Sequence, residues 1–430
     1  METRAAHAMI RFGLGRRAAE PPPADPEAWL AAQLEGPDPA LARPAPSGGD
    51  AMRAIRESQR RKSEPKRGEP LRDILNQGND LVIDSLLTTA TPFRERLVWF
   101  WANHFTVSTK KRLASPLVNA YVREAIRPHV TGRLEDMVLA VMRHAAMLLY
   151  LDNAYSIGPN SPTGRSRQRG LNENLARECL ELHTVTPAAG YTQADVTALA
   201  NILTGWSIGP DGDAHGFNFR PTSHEPGGKT VLGQVYPEGE AGGIAALRRF
   251  ATHPATTRNL ASKLVRHFIA DTPPEPAIAR IDGVLRTTGG DLKAAARALI
   301  GLPEAWRPMA KLRSPMDYSV AVLRAIDLPA DRRPDVLAIM DGLGQPLHGA
   351  PLPNGWSDQA ADWAAPEAMM RRLDWAYAVA ARGAALDPVV VAQNSLGPLL
   401  PQATREEIAR AGSHREALTL LFASPEFQRR

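Results

Sequence analysis

The chain has 430 residues, 43% of them apolar and 23% charged, which is enough to bury a full core and too ordinary for a disordered or fibrous protein. Its 51 basic and 46 acidic side chains leave a net charge of +5. The densest basic stretch, Arg53 to Arg67, is interrupted by Glu57 and Glu64 and holds no aromatic residue, so it reads as a solvated face and not as a nucleic-acid surface.

A single cysteine, Cys179, excludes an internal disulfide and any multi-thiolate zinc site. No apolar run approaches the roughly 18 residues that span a bilayer. The N-terminal residues turn polar at Arg11 before an apolar signal core forms, so the expectation is a cytoplasmic protein without a signal peptide. The alternative is a periplasmic one carried out by an exported partner.

The 37 prolines and 33 glycines matter by position. Thr91-Pro92, Ser115-Pro116, Ser314-Pro315 and Ser424-Pro425 place a hydroxyl before a proline, the signature of a helix start. Ser314 and Thr192 are followed three residues later by Asp317 and Asp195, a variant of the capping box.

In chain order, residues 1–68 read as an irregular arm with a loop at 36–50. Apolar spacing of 3.6 residues then predicts helices over 70–89, 92–105 and 134–150. A loop is expected at 158–170, followed by helices over 171–185 and from Thr192 to Leu203. One short β hairpin is expected near 215–236, where Phe217 to Phe219 and Val231-Leu232 flank Pro226-Gly227-Gly228. Helices follow over 241–251, 255–270, 276–288, 291–300, 315–327, 366–382 and 414–423. The fold class is mainly α: one large multi-helical domain over 1–430, with no internal repeat.

Wound at 100° per residue, the 171–185 segment puts Asn174, Glu178 and Glu181 on a polar ridge beside an apolar stripe of Leu171, Leu175, Cys179 and Leu182. Two readings stand. Glu173, Arg177 and Glu181, spaced four apart, form a structural ion network, or Glu178 and Glu181 move protons while Asn174 and Arg177 orient an oxygen-rich substrate. In 92–105, His104 falls at the centre of the apolar face, while Asn103 and Arg96 share another side next to Trp99. A histidine so placed is a hydrogen-bonded core residue or a catalytic base facing a cleft between the two helices.

His224 to Thr230 lacks the spacing of a phosphate loop. Its His224 and Lys229, like Arg165, Arg167 and Arg169, are solvated loop residues or contacts for an anion. No local metal-binding motif is present, so no metal or other cofactor is expected.

These residues carry a resemblance. His7 with Arg11-Phe-Gly13, Trp101-Ala-Asn-His-Phe105, Asn172 through Thr184, Gly190 to Asp195, Leu203-Thr-Gly-Trp206, His224 to Gly233 and Ser424 to Gln428 together resemble the bacterial family catalogued as domain of unknown function 1800. The resemblance implies a mostly helical protein, frequently encoded beside a second family whose members often bear twin-arginine export signals. It marks Asn103, His104, Asn172, Glu173, Asn174, Arg177, Glu178, Glu181, Asp195, Trp206, His224 and Lys229 as the distinctive polar positions. Two departures are expected: many relatives carry an N-terminal export signal that is not expected here, and Cys179 stands where an aliphatic residue is usual.

Two functions are therefore expected. The first is a binding or assembly partner of the co-encoded protein. The alternative is a lyase- or hydrolase-like enzyme acting on an oxygen-rich or saccharide substrate, with His104, Glu178 and Glu181 catalytic and Asn103, Asn172, Glu173, Asn174, Arg177, Trp206, His224 and Lys229 binding the ligand.

Overall fold

The computed structural model describes residues 1–18, 20–60, 70–167, 170–209, 213 and 215–430. It is mainly α-helical, with two small antiparallel two-stranded sheets. The long amphipathic segments form helices within two residues of the expected ends: Pro70–Thr88, Pro92–His104, Glu240–Ala251, Pro254–Phe268, Glu275–Thr287, Leu292–Ile300, Pro315–Ile326, Pro366–Ala380 and His414–Ala423. No helix among the described residues is long and apolar enough to cross a membrane.

Their apolar faces close two hydrophobic clusters. One gathers Phe12, Phe93, Trp101, Phe105 and Phe268, all close to fully buried. The other is built on Leu86, Tyr318, Val322, Leu418 and Phe422. The Pro92–His104 helix serves both, because Phe93, Leu97 and Phe100 face the first cluster while Trp99 packs against the second.

Capping chemistry explains most of the departures. The segment expected as one helix over 134–150 breaks at His144, which adopts an extended conformation and whose Nδ1 accepts the Ala146 N–H at 3.1 Å to begin Ala145–Tyr150. The 171–185 helix starts only at Asn174, because the Asn172 side chain accepts the Asn174 N–H at 2.9 Å and holds the chain in a turn. It then widens into a π-helical turn over Cys179–His183. Ser424 ends a helix instead of starting one, its Oγ accepting from Phe427 N in the turn that follows.

The strands expected as one hairpin divide between two sheets. Phe217–Phe219 (β2) pairs with Trp206–Ile208 (β1), and Lys229–Val231 (β3) pairs with Gln234–Tyr236 (β4). Leu232 and Gly233, both at positive φ (47° and 73°), supply the two-residue turn that closes β3 onto β4.

The arm expected to be irregular carries the helices Thr3–His7, Pro26–Ala32 and Gly48–Arg60, too short or too polar for the periodicity to reveal. Gly48–Arg60 begins inside the segment expected as a loop over 36–50, and Pro162–Arg167 is a helical turn inside 158–170, opened by Ser161 Oγ accepting Gly164 N–H at 3.0 Å. Residues 61–69, including the end of the basic stretch, lie outside the described residues, as does Arg169.

Candidate functional site

The face of the Pro92–His104 helix that bears Arg96, Trp99 and Asn103 opens on a cavity of about 100 Å³ between the two clusters. Positions i, i+3 and i+7 stack on one side of a helix, which is why these three line it together. The opposite walls come from the Pro315–Ile326 helix and from 345–358, and His267 enters from Pro254–Phe268. Apolar contacts are supplied by Leu14, Leu86, Met316, Val320 and Leu347.

The 354–358 loop is fastened to the helix by a two-way amide pair. Asn103 Nδ2 donates to Trp356 O at 2.8 Å and Trp356 N donates to Asn103 Oδ1 at 2.7 Å. Gly355 makes that approach possible, because it sits at φ +77° and a Cβ there would lie 2.6 Å from Asn103 Oδ1.

The polar edge of the cavity is an ion cluster. Asp317 accepts a hydrogen bond from Arg96 Nη1 and forms an ion pair with Arg430 Nε, each at 2.8 Å. Burial would raise its carboxyl, but Arg430 and Arg96 hold it well below the ordinary carboxylate range. Its neighbour Asp358 accepts from His267 Nδ1 at 2.7 Å. Against the same burial, His267 together with Lys311 and Arg430 brings Asp358 to about 2.

His267 itself is pushed down by burial, with Asp358 opposing, and it donates through Nδ1. Among the described residues, its buried Nε2 has no hydrogen-bond partner. Arg96 spends Nε on Gly13 O at 2.7 Å and Nη1 on Asp317, and Gln345 spends Oε1 on Met316 N at 2.8 Å. Among the described residues, Arg96 Nη2 and Gln345 Nε2 donate no hydrogen bond.

His104 faces away from this cavity. Its Nε2 donates to His183 O at 3.2 Å while His183 Nδ1 donates to His104 O at 3.0 Å, so each ring binds the other's backbone. His104 Nδ1 accepts from Lys263 Nζ at 3.1 Å, which fixes its tautomer. Burial, then Lys263, depresses His104 well below its ordinary value and His183 to about 3, and burial lowers Lys263 to about 8.

The ridge on Asn174–Glu178 is more open than expected. Asn174 and Glu181 are exposed, while Arg177 and Glu178 are partly buried. Arg177 Nη2 donates to Glu173 Oε2 at 2.8 Å, and Glu173 also accepts from Gln193 and Thr197. Glu178 is raised by burial and then by Glu181, and among the described residues it has no hydrogen-bond partner. Leu180 on the far side is fully buried, so the segment is covered on two sides.

The remaining positions stand apart from both groups. His224 Nδ1 donates to Thr204 O and its Nε2 accepts Gly239 N–H, both at 2.9 Å. Lys229 donates to Glu225 O, so the loop binds itself. Trp206 is fully buried. Arg165 is exposed, and the Arg167 side chain lies outside the described residues.

Of the expected positions, then, only Asn103 lines the cavity. His267, Gln345 and Asp358 had no local signal, since each is isolated in sequence. Asp317 did have one as a helix-capping residue, but its carboxylate goes to two arginines.

No curated protein and no solved structure matches the chain. The model of the family described as "Protein of unknown function (DUF1800)" matches residues 7–429, and the chain belongs to that family.

Proposed function

We propose that the protein is a binding protein whose small-molecule site is the cavity beside the Pro92–His104 helix, and that its ligand is oxygen-rich, with a carboxylate or comparable anion. The observation that carries this reading is the pair of free donors among the described residues, Arg96 Nη2 and Gln345 Nε2, on residues that line a cavity with apolar walls and one polar edge. Concave, mainly apolar sites with a few convergent polar groups and perturbed titrations are the usual form of ligand pockets. A guanidinium group already fixed by Gly13 and Asp317 meets an oxyanion at little further entropic cost.

Glucuronate serves as a probe, with glucose as its uncharged counterpart. Saturable binding by calorimetry is expected for glucuronate, weaker binding for glucose, and loss of both in Ala102→Leu, which fills cavity space without touching the ion cluster. Absence of glucuronate binding, or binding that survives Ala102→Leu, would sink the proposal.

A second reading, assembly with the co-encoded protein, has its own support. Met370, Leu373 and Tyr377 recur at i, i+3 and i+7 on Pro366–Ala380, and all three are exposed, a helical stripe suited to a protein partner. Leu373→Glu is expected to abolish co-purification of the two proteins while leaving the melting temperature unchanged. Co-purification that persists counts against it. The catalytic alternative at His104 draws less support, because both ring nitrogens are spent inside a dry contact.

A further inference from the structure

Glu124, His144 and His215 are far apart in sequence, yet one ligand atom from each lies within 4.8 Å of the others. Glu124 Oε2 accepts from His144 Nε2 at 3.1 Å and from His215 Nδ1 at 2.9 Å. We propose that these three residues form a binding site for a first-row divalent metal ion of the zinc type.

Two histidines and one carboxylate are a donor set for such ions, with a fourth position left to water. Bonds of about 2.0–2.1 Å in tetrahedral geometry place ligand atoms roughly 3.3 Å apart. The two separations to Glu124 Oε2 therefore need to open by only a few tenths of an ångström, and the two ring nitrogens lie within 4.8 Å of each other.

Three features of the surroundings favour a cation. Glu124 lies in a π-helical turn, Val122–Ile126, an arrangement that often marks functional sites. The carboxylate is positioned from behind, since Gly48 N donates to Glu124 Oε1 at 2.8 Å. Gly48 also leaves space, because a Cβ there would stand 2.8 Å from Glu124 Oε2 and 3.7 Å from His144 Nε2. His144 is buried while His215 is exposed, so an ion enters from the His215 side.

Loading has a cost that sets the expected affinity. In the metal-free arrangement His144 Nδ1 accepts the Ala146 N–H, which leaves the ring proton on Nε2. A metal takes the Nε2 lone pair, so the Nε2 proton passes to solvent; Nδ1 then either takes up a proton and gives up the Ala146 cap, or keeps the cap with the ring bound as imidazolate. Micromolar affinity is expected, below that of closed structural zinc sites.

The test uses tag-free, chelator-treated protein titrated with Zn²⁺ by calorimetry, and with Co²⁺ followed by its visible ligand-field absorption. One equivalent should bind at pH 7.5 with nitrogen-containing coordination in the Co²⁺ spectrum. His215→Ala changes an exposed side chain and should keep the wild-type circular dichroism melt, while Zn²⁺ affinity falls at least tenfold. Glu124→Gln should do the same to affinity. No stoichiometric binding to the wild type, or less than a tenfold loss in a folded His215→Ala protein, overturns the assignment.

Discussion

His104 and His183 show how a polar side chain is made part of a core. Each ring donates to a backbone carbonyl of the other, and Lys263 donates to the second ring nitrogen of His104. His104→Phe keeps an aromatic ring, though a larger one, and leaves the His183 carbonyl and the part-buried Lys263 ammonium without the His104 ring, at a cost of about 1–3 kcal/mol for the buried carbonyl. Urea denaturation of the variant measures this loss. Adding Lys263→Met should recover part of it, because the second change removes one of the two orphans, and a purely additive double mutant would refute the coupling. Glu178→Gln behaves in the opposite way. It removes a partly buried carboxylate that has no hydrogen-bond partner among the described residues and that is raised by Glu181, so thermal melting at pH 7 should be unchanged or slightly higher.

Asp195 illustrates the scale of elements. One carboxylate oxygen completes the capping box with Thr192 at the start of Gln193–Ile202, while the other accepts Leu232 N–H at 2.7 Å. The same residue therefore starts a helix and anchors the β3–β4 turn. Thr192→Ala should cost about 1 kcal/mol through the cap alone. Asp195→Ala should cost more, and hydrogen exchange should quicken at Leu232 in that variant only.

Such local chemistry is also what made the fold legible. Apolar spacing found the long helices, and Thr192 and Ser314 marked true starts. The failures came where a side chain competed with backbone bonding, at His144 and Asn172, or where the strand partner lay outside the hairpin window, as Trp206–Ile208 does for Phe217–Phe219. The cavity was half legible: the wheel placed Arg96 and Asn103 on one side next to Trp99, but nothing in the sequence announces that Asp317, His267 and Asp358 come to meet them.

The whole molecule keeps several histidines neutral by burial, and that fixes its acid response. Burial, helped by Arg11, lowers His7 to about 4, and burial alone lowers His348 to about 4, while His183 falls to about 3 from the ordinary 6.5. A folded-state pKa below the unfolded one means that the unfolded chain takes up protons first as pH falls. The stabilising contribution is complete above pH 6.5 and is lost progressively towards pH 3–4, at about 1.4 kcal/mol per pH unit for each such histidine. Asp358, depressed from 3.8 to about 2, adds its loss only below pH 3.8. Calorimetric melting should therefore decline from just below pH 6.5. A melting temperature that holds steady down to pH 4.5 would mean that these rings are protonated in the native protein.

The cavity is also a statement about folding order. Its polar edge joins Arg96 to Asp317 across 221 residues, and the 354–358 loop joins Asn103 to Trp356 across 253. Contacts so distant along the chain carry the largest loop-closure cost and form after local helices. During refolding, helical circular dichroism should return before the ability to bind a cavity ligand. A newly made chain accordingly has most of its helices, and an exposed apolar wall at Trp99 and Val320, before it has a site, and in that interval it is at its most prone to aggregate.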